Sequence, residues 1–387
     1  MRIALIHSFY SSDQPSGENR VVVDQADALQ RAGHEVRIIA RHTDDLAGSS
    51  TYHVRSAWTV ATGRGASPVD ELREFNPDIV HIHNLFPNFA TNWVASWHGP
   101  VVATLHNYRA VCANGLLYRD GHQCSECPDG SPLQAVRHGC YRGSRMATIP
   151  VAVGLSRRGP TFLDHVDRVV VTSPGSARIL GGYLPGLAPF DLVPNFGVGQ
   201  SQQPLAASER TSWLAMGRFT PEKGFLELIE MWPHGSALIV IGDGPQSEAL
   251  AVAAKEKAIT IRPSMPIEEL RRILPSHRGL VFPSRWPDVA PQVVVEAMRV
   301  GLPVIAHRAN VVADLVASSG AGAAYDDAPS LAEALEAISV DLPLMSAQAV
   351  RTFERDWTEE SWLAGIEAVY SFAISVRTGR PERGPRA

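Results

Sequence analysis

The sequence predicts an α/β protein built from two doubly wound domains, each organised around a parallel sheet. The first observation is a repeated pattern in which a short apolar run is followed by a turn rich in Gly, Pro or Ser and then by a helical segment. The second is that these runs are almost continuously apolar, which is typical of parallel strands covered by helices on both faces. The third is length, since 387 residues exceed what one core usually organises.

The apolar runs form two series, one in each half of the chain. The predicted strands of the first series are Ile3–Ile6, Val36–Ala40, Ile79–Ile82, Val101–Leu105 and Val169–Thr172. Those of the second series are Trp213–Met216, Ala237–Ile241, Ile259–Arg262, Gly279–Phe282 and Pro303–Ala306. Ligands bind outside the carboxyl ends of such strands, so two facing sheets predict a site in the cleft between the domains.

The domain boundaries follow from the polar stretch between the two series. We predict a first domain at residues 1–195, a linker at 196–210 and a second domain at 211–356. A helix predicted at 357–376 lies beyond the last strand and could pack back on the first domain. The final segment, 377–387, is rich in Arg, Pro and Gly and is predicted to be a disordered tail.

The composition excludes several classes of protein. A hydrophobic content of 45% and a charged content of 19% fit a soluble globular protein. A net charge of −5 without a basic stripe argues against a nucleic-acid partner. The apolar runs have strand length, which is too short to cross a membrane. The N-terminus lacks the layout of a signal peptide, so we expect a cytoplasmic protein.

Two acids in the second half, Asp288 and Glu296, are eight residues apart and flank a loop that contains Pro291. A helix that begins near Pro291 would direct its free N–H groups at whatever lies beside Asp288, which makes an anion site. Glu296 would lie about one turn inside this helix, where a carboxylate can accept hydrogen bonds from sugar hydroxyls.

Two cations follow an earlier strand, in the segment WLAMGRFTPEKG. Arg218 and Lys223 flank a turn, and together they could neutralise a diphosphate, because Arg offers a two-pronged fork and Lys a compact charge. The alternative is a pair of solvated charges on a loop.

Glycines mark two further loops. The segment IVIGDGP ends a strand with Gly242 and Gly244, and such a turn could approach a nucleotide closely, although tight turns often use glycines. After the first strand, Gly17 precedes Glu18 and would let the backbone approach a phosphate at the start of a helix. The alternative at Gly17 is an ordinary strand-to-helix turn.

Histidines end two strands of the first half, in HIHN and TLHN. His81 and His83 are two residues apart and share a face of their strand, which could suit a metal, with His106 after the next strand. A metal-dependent hydrolase is therefore an alternative function. No carboxylate pattern completes such a site, and a histidine at a strand end is often only a hydrogen-bonded residue.

Four cysteines lie close together in a segment at about 110–145. They are Cys112, Cys124, Cys127 and Cys140. They could hold a structural zinc ion, although only one C-x-x-C pair is present; the alternative is four reduced thiols. The same segment carries Arg137, Arg142 and Arg145, with Arg157 and Arg158 beyond it, and these cations could bind an acceptor phosphate or touch an anionic membrane. A solvated helix face is the alternative.

These motifs together resemble those of the retaining family 4 glycosyltransferases, which have the GT-B fold of two Rossmann-like domains. The cationic segment is similar to the family's G-R-x-x-x-x-K-G motif, and the two acids are similar to its donor-binding signature, with aspartate in place of the first glutamate. The cysteine segment resembles an insertion found in many bacterial members. The resemblance covers both halves of the chain, from Gly17 to the region after Gly301.

The resemblance implies a set of site residues. Those implied in catalysis are His106, Arg218, Lys223 and Asp288. Those implied in donor binding are Gly17, Gly217, Gly242, Gly244, Arg262, Met265, Ala290, Gln292, Val293 and Glu296. Those implied on the acceptor side are Glu18, His83 and Asn107. Asp288 is expected to hold sugar hydroxyls and Glu296 the ribose hydroxyls.

The implied activity is transfer of a sugar from a UDP- or GDP-sugar to a hydroxyl of a glycan, a lipid-linked sugar or a small molecule, with retention of configuration. No metal or cofactor is required in this scheme, since the nucleotide sugar is a co-substrate. A nucleotide-sugar epimerase or a phosphorylase on the same fold is an alternative. Peripheral contact with the inner face of the membrane is compatible with the basic segment.

Overall fold

Parallel strands form the centre of each half of the protein, as the apolar runs predict. The computed structural model describes residues 1–12, 17–158 and 161–378. The chain divides into two compact units. The first unit consists of Met1–Leu117, Cys124–Val193 and the chain from Trp362 onward, and the second consists of Tyr118–Gln123 and Pro194–Ser361.

The first unit is built on a six-stranded parallel sheet. The strands up to residue 192 are β1 (Arg2–Phe9), β2 (Glu35–His42), β3 (Ile79–Asn84), β4 (Val101–Leu105), β5 (Tyr118–Arg119), β6 (His122–Gln123), β7 (Arg168–Val171) and β8 (Asp191–Leu192). The sheet has the order β2-β1-β3-β4-β7-β8, while β5 and β6 form an antiparallel hairpin within the second unit. The direction of winding reverses between β1 and β3, which is where doubly wound sheets bind ligands.

Helices cover the first sheet. They are α1 (Gly17–Arg31), α2 (Thr43–Ala47), α3 (Tyr52–Thr62), α4 (Val69–Phe75), α5 (Trp93–Ser96), α6 (Glu126–Asp129), α7 (Gln134–His138), α8 (Arg145–Arg158) and α9 (Pro174–Tyr183). The inner strands are buried along their length, since Ile3, Leu5 and Val80 are fully inaccessible to solvent. This burial explains why their sequences are continuously apolar rather than alternating.

The second unit repeats this architecture. Its parallel strands are β9 (Ser212–Met216), β10 (Leu238–Ile241), β11 (Ile259–Arg262), β12 (His277–Phe282), β13 (Val304–His307) and β14 (Gly322–Tyr325). Its helices are α10 (Phe225–Met231), α11 (Ser247–Ala253), α12 (Ile267–Ile273), α13 (Gln292–Arg299), α14 (Ala313–Ser318), α15 (Ala328–Val340) and α16 (Leu342–Asp356). The sheet order is β11-β10-β9-β12-β13-β14, and an apolar cluster fills the space on each face.

All ten predicted parallel strands are confirmed, and the structure adds elements that the pattern did not reveal. The strand β14 has the sequence GAAY, whose small residues give little apolar signal. The two-residue strand β8 and the hairpin β5–β6 are too short to show a period. The hairpin residues Tyr118–Gln123 belong to the second unit, although the segment at 110–145 was predicted to lie wholly in the first domain.

The C-terminal boundaries also differ from the prediction. The last helix, α17, spans Glu359–Thr378 rather than 357–376, and the first unit ends at Val193 rather than at 195. The predicted disordered tail was wrong at its first residue, because Arg377 lies in α17 and its Nε is 2.8 Å from Oδ1 of Asp167. Residues 379–387 of that predicted tail lie outside the described part of the chain.

Candidate functional site

The predicted donor-site residues of the second unit gather at one edge of its sheet. They follow four strands, β9, β10, β11 and β12, which are neighbours in the sheet and all run parallel. The carboxyl ends of parallel strands meet at one edge, so their four loops lie side by side. The winding direction reverses between β9 and β12, and the predicted cations and the acid Asp288 lie on the loops on either side of that point.

A lysine and an aspartate join the loops after β9 and β12. Nζ of Lys223 is 2.5 Å from Oδ2 of Asp288, and their side chains are only 17% and 12% exposed. The ammonium also lies 5.2 Å from the ring centroid of Trp286, over its face. A backbone bond, from the Arg285 N–H to the Glu222 carbonyl oxygen, fixes the same two loops to each other. The arrangement holds a half-buried cation at the switch point of the sheet.

The second acid, Glu296, is held by two arginines. As predicted, it lies one turn inside a helix that begins just after Pro291. Arg271 of α12 donates from Nη2 to Oε1 at 2.6 Å and from Nε to Oε2 at 3.2 Å, and Arg299 donates from Nε to Oε2 at 3.2 Å. The two guanidinium groups compensate a carboxylate that is only 7% exposed. Since a carboxylate has about four acceptor positions, Glu296 retains capacity for a hydroxyl donor.

The structure shows why glycine is required at three positions of the second unit, which the sequence did not reveal. A Cβ on Gly242 would lie 1.9 Å from the carbonyl oxygen of Gly217, and one on Gly244 would lie 2.6 Å from that of Phe219. A Cβ on Gly224, whose φ is +70°, would lie 2.3 Å from the Pro283 oxygen. The glycine motifs therefore let the loops after β9, β10 and β12 pack backbone against backbone.

The other predicted donor-site residues lie on the surface of this edge. Arg218 and Arg262 are exposed, and Met265 is half-buried against the apolar core. Ala290 precedes α13, and Gln292 and Val293 form its first turn, where N–H groups have no partner within the helix. The helix thus begins at Gln292, directly after Pro291 and four residues after Asp288, as the sequence predicted.

In the first unit, His106 and the residues predicted for the acceptor side also lie at or just after the carboxyl ends of strands. His83 in β3 and His106 after β4 share a hydrogen bond of 2.9 Å between Nδ1 and Nε2. Glu18 in the first turn of α1 accepts a hydrogen bond of 3.3 Å from Nδ2 of Asn107. A Cβ on Gly17, at the start of α1, would meet nothing within 4 Å, so protein packing does not require this glycine.

Burial shifts the ionisation of this group strongly. Desolvation lowers the pKa of His106 to about 3 and that of His83 well below its usual value, so both rings are neutral near pH 7. Desolvation raises the pKa of Glu18 to about 7, although Arg109 and the hydrogen bond from Asn107 oppose the rise. Glu18 can therefore exchange a proton near neutral pH, whereas the histidines serve as neutral hydrogen-bonding groups.

A cavity of about 160 Å³ in the first unit is lined in part by these residues. His83, His106 and Asn107 contribute to its lining, together with Arg109, whose guanidinium donates to the Ala113 oxygen at 2.8 Å. The remaining walls come from β3, β4 and the loops after them, from α3 and α8, and from Phe162. The cavity therefore adjoins the residues that the sequence assigned to the acceptor side.

The predicted metal alternative does not fit the histidine geometry. Both ring nitrogens of His81 are engaged at 2.7 Å, Nδ1 with the Tyr370 hydroxyl of α17 and Nε2 with the Thr104 hydroxyl. His83 uses Nδ1 for His106. Within residues 1–12, 17–158 and 161–378, no group of three or more His, Cys, Asp or Glu side chains is arranged to hold a metal ion. His81 is instead a packing residue that attaches the C-terminal helix to the first sheet.

The four cysteines of residues 110–145 form no disulfide bond within the described part of the chain. Cys112 and Cys127 are buried, while Cys124 and Cys140 are partly exposed. Burial raises the pKa of Cys127 to about 11, so its thiol is protonated near neutral pH. Cys127 packs with Ala113, Ala135 and Val151 in a small apolar cluster beside α8. Cys127 therefore acts as a small apolar residue, whereas the buried Cys112 donates a hydrogen bond of 2.9 Å from Sγ to Oδ1 of Asn114.

Sequence reasoning missed the residues that hold the predicted ones in place. Arg271 and Arg299, which hold Glu296, and Tyr370, which holds His81, were not foreseen. Only Arg299 had a local signal, since it lies three residues after Glu296 on one helix face. Arg271 lies 25 residues from Glu296 and Tyr370 lies 289 residues from His81, so neither pair has a signal in the local sequence.

Comparison with known proteins places the chain among glycosyltransferases. The family model described as Glycosyltransferase Family 4 matches residues 15–196, and the one described as Glycosyl transferases group 1 matches residues 210–341. The phosphatidyl-myo-inositol mannosyltransferase of Mycolicibacterium smegmatis is 25% identical over 413 aligned positions, which cover 96% of this chain and 93% of that protein.

Solved structures show the same fold. Sucrose-phosphate synthase from Thermosynechococcus elongatus has a TM-score of 0.70 at 17% identity, covering 97% of this chain and 99% of that one. HepE from Anabaena, solved in complex with UDP-glucose, has a TM-score of 0.59 at 15% identity, covering 96% and 100%. With two Rossmann-like parallel-sheet units and both family models matched in order, the chain belongs to the family 4 glycosyltransferases of GT-B fold.

Proposed function

We propose that the protein transfers a sugar from a nucleoside diphosphate sugar to a hydroxyl group of an acceptor, with retention of the anomeric configuration. The observation that carries the proposal is the paired Lys223 and Asp288, the latter just before α13, with exposed Arg218 on the same loop as Lys223. Two cations and helix N–H groups match a diphosphate, while a carboxylate beside them matches sugar hydroxyls. UDP is the favoured nucleotide, since HepE was solved with UDP-glucose, and GDP is the alternative.

The proposed chemistry needs no carboxylate nucleophile. The acceptor oxygen attacks the anomeric carbon on the face from which the diphosphate leaves, the bond between that carbon and the phosphate oxygen breaks, and the leaving phosphate takes the acceptor proton. Arg218 and Lys223 neutralise the charge that develops on the leaving group, which lowers the barrier. Asp288 holds hydroxyls of the transferred sugar, and Glu296 holds those of the ribose.

The acceptor is proposed to bind in the first unit, where Glu18, His83 and Asn107 adjoin the cavity. A glycan, a lipid-linked sugar or a small molecule would each supply the hydroxyl. Because Glu18 can exchange a proton near pH 7, it can either donate to or accept from an acceptor hydroxyl.

Replacing both Arg218 and Lys223 with alanine is expected to weaken binding of UDP by roughly 100-fold, because two charge-assisted contacts to the diphosphate are lost. Isothermal titration calorimetry of UDP against the full chain measures this. The matched control replaces Lys255 and Arg351, which are exposed cations of the same unit away from the strand ends. Equal UDP affinity in the site variant and the control would contradict the proposed donor site.

An assay with nucleotide sugar alone separates transfer from the alternatives. Epimerisation of the donor needs no acceptor, so a new epimer formed from the nucleotide sugar alone would favour an epimerase. Release of a sugar phosphate when phosphate is added would favour a phosphorylase. Product that appears only when a hydroxyl acceptor is present supports the transferase, and the anomeric configuration of that product tests retention.

We also propose that the first unit contacts an anionic membrane through the helix pair α3 and α8, which pack against each other. Four large apolar side chains are exposed on this pair: Val54 and Trp58 of α3, and Met146 and Ile149 of α8. Exposed Arg55, Arg142 and Arg145 accompany them. Apolar groups mixed with cations are typical of surfaces that lie on anionic lipid. No described helix is long and apolar enough to span a bilayer.

The variant with Trp58 and Ile149 both changed to serine is expected to lose at least half of its binding to vesicles of phosphatidylcholine and phosphatidylserine. The physical reason is that two apolar anchors are removed while the charge is kept. Co-sedimentation with the vesicles measures the bound fraction. Val340 and Leu344, exposed apolar residues of the second unit, supply the control pair of serine substitutions. A wild-type protein that does not sediment with anionic vesicles would refute the contact.

A further inference from the structure

The cavity of the first unit has walls that the proposed reaction does not explain. Most of the side chains that line it are apolar, among them Val60 of α3, Val151 and Leu155 of α8, and Leu85, Phe86 and Phe162. A sugar carries hydroxyl groups around its whole ring, and hydroxyls placed against these side chains would lack hydrogen-bond partners. The walls therefore do not suit a purely polar acceptor.

The polar part of the lining comes from the strand ends. His83 and His106 are hydrogen-bonded to each other, and Asn107 is bonded to Glu18. The guanidinium of Arg109 lies 4.1 Å from the ring centroid of Phe86 and is held by backbone oxygens. Most of the polar lining thus lies at the carboxyl ends of β3 and β4 and in the loops after them, whereas the two helices contribute mainly apolar side chains, with Thr59 of α3 as the exception. A ligand that fits both parts has a hydroxyl-bearing end and a hydrocarbon end.

The helices α3 and α8, which form the apolar wall, pack closely against each other. A Cβ on Gly154 of α8 would lie 2.4 Å from the carbonyl oxygen of Val60 in α3, so only glycine allows the helices to approach this closely. Leu155 and Val60 then pack in one apolar cluster with Phe86. A cavity with such walls gains free energy when hydrocarbon rather than water fills it.

We propose that this cavity binds a hydrocarbon group of the acceptor, while the accepting hydroxyl lies at the strand ends beside His106. The acceptor class is thus an amphiphile, either a glycolipid-like molecule with an alkyl or prenyl chain or a glycoside with an aromatic group. That the bound molecule is the acceptor rests on the proposed transferase function. Binding of its hydrocarbon group does not depend on the donor site.

The test compares binding of three glucosides to the full chain by calorimetry: methyl, phenyl and octyl β-glucoside, the last below its critical micelle concentration. We expect the octyl or the phenyl compound to bind at least 10-fold more tightly than the methyl compound. Tighter binding of the octyl compound identifies a lipid chain as the source of the hydrocarbon, and tighter binding of the phenyl compound identifies an aromatic group. Equal binding of all three would overturn the proposal.

A cavity-filling variant locates the binding. Ala110→Phe places a ring at a half-buried position that lines the cavity, and Ala95→Phe places the same ring at an exposed position of α5 that does not. The first is expected to weaken octyl or phenyl glucoside at least 10-fold, and the second to leave it unchanged. Unchanged binding in Ala110→Phe would overturn the location. The affinity for UDP is measured on the same samples as a separate report on folding and on the donor site. If the proposed function fails but this inference holds, the protein does not bind UDP and still binds the glucosides.

Discussion

Replacing Asp288 with alanine is expected to lower transfer from the nucleotide sugar by about 100- to 1,000-fold, the effect typical of removing one group aimed at the reacting centre. The substitution deletes the carboxylate that lies 2.5 Å from Nζ of Lys223 and that is proposed to hold sugar hydroxyls. It also leaves a half-buried ammonium without its anion, which displaces the cation that faces the leaving phosphate. Steady-state turnover with a saturating acceptor measures the effect.

Two further variants separate charge from shape at this position. Asp288→Asn keeps the size of the side chain but removes the charge, so it is expected to lose nearly as much activity as the alanine variant. Asp326→Asn is the matched control, because Asp326 pairs with Arg308 on the surface of the same unit, with side chains 55% and 58% exposed. Near-normal turnover in both Asp288 variants would refute the assignment of this acid to the donor sugar.

Acidification is expected to destabilise the first unit steeply below pH 6.5. Desolvation lowers the pKa of His7 to about 4 and those of His81 and His106 to about 3, and it holds that of His83 well below its usual value. The unfolded chain therefore takes up about four protons that the folded unit does not, and folding free energy is lost as pH falls from 6.5 toward these values.

One acid opposes this trend. Glu18 has its pKa raised to about 7, so between its usual value and pH 7 the folded state holds a proton that the unfolded state lacks. Four histidine protons less one glutamate proton leave about three, which gives roughly 4 kcal/mol per pH unit near pH 5.5. Urea unfolding at pH 7.5, 6.5 and 5.5, monitored by hydrogen exchange of the amides in β3 and β4, measures how the free energy of unfolding changes with pH.

The variant His7→Gln tests the origin of the slope. His7 lies in β1 and is fully buried, with its Nε2 3.0 Å from Oδ1 of Asn19. Removing this titrating ring is expected to reduce the slope by about one proton, or about 1.4 kcal/mol per pH unit, whatever it does to stability at pH 7.5. A slope that is flat in the wild type, or identical in the variant, would show that the buried histidines do not control acid stability.

The aspartate at position 288, in place of the glutamate of the resembled signature, has a local counterpart in the structure. Lys223 reaches the shorter carboxylate directly, and Asn310 supports the same loop by donating from Nδ2 to the Trp286 carbonyl oxygen at 2.8 Å. The loop between β12 and α13 is thereby held in place from two sides. The shorter aspartate side chain is thus long enough to pair with Lys223. The spacing of the two acids in the sequence could not show this pairing.

Much of the architecture could be predicted because burial on both faces of a parallel strand leaves a continuous apolar run in the sequence. Val101–Leu105 and Trp213–Met216 are examples of runs that became central strands. The strand β14 was not predicted, because Gly322 and the two alanines after it give little hydrophobic signal. A Cβ on Gly322 would lie 1.9 Å from the carbonyl oxygen of Val304 in β13, so the neighbouring strand requires glycine at this position.

By itself, the sequence determined the two parallel sheets, the loops that carry the candidate residues, and the start of α13 between Asp288 and Glu296. These features follow from local patterns: apolar runs, glycine turns and a proline before a helix. Only the tertiary structure decided which charges meet. Lys223 and Asp288 are 65 residues apart, Arg271 and Glu296 are 25 apart, and His81 and Tyr370 are 289 apart. Such pairs depend on which loops lie side by side at a sheet edge, and strand order, not sequence spacing, sets that.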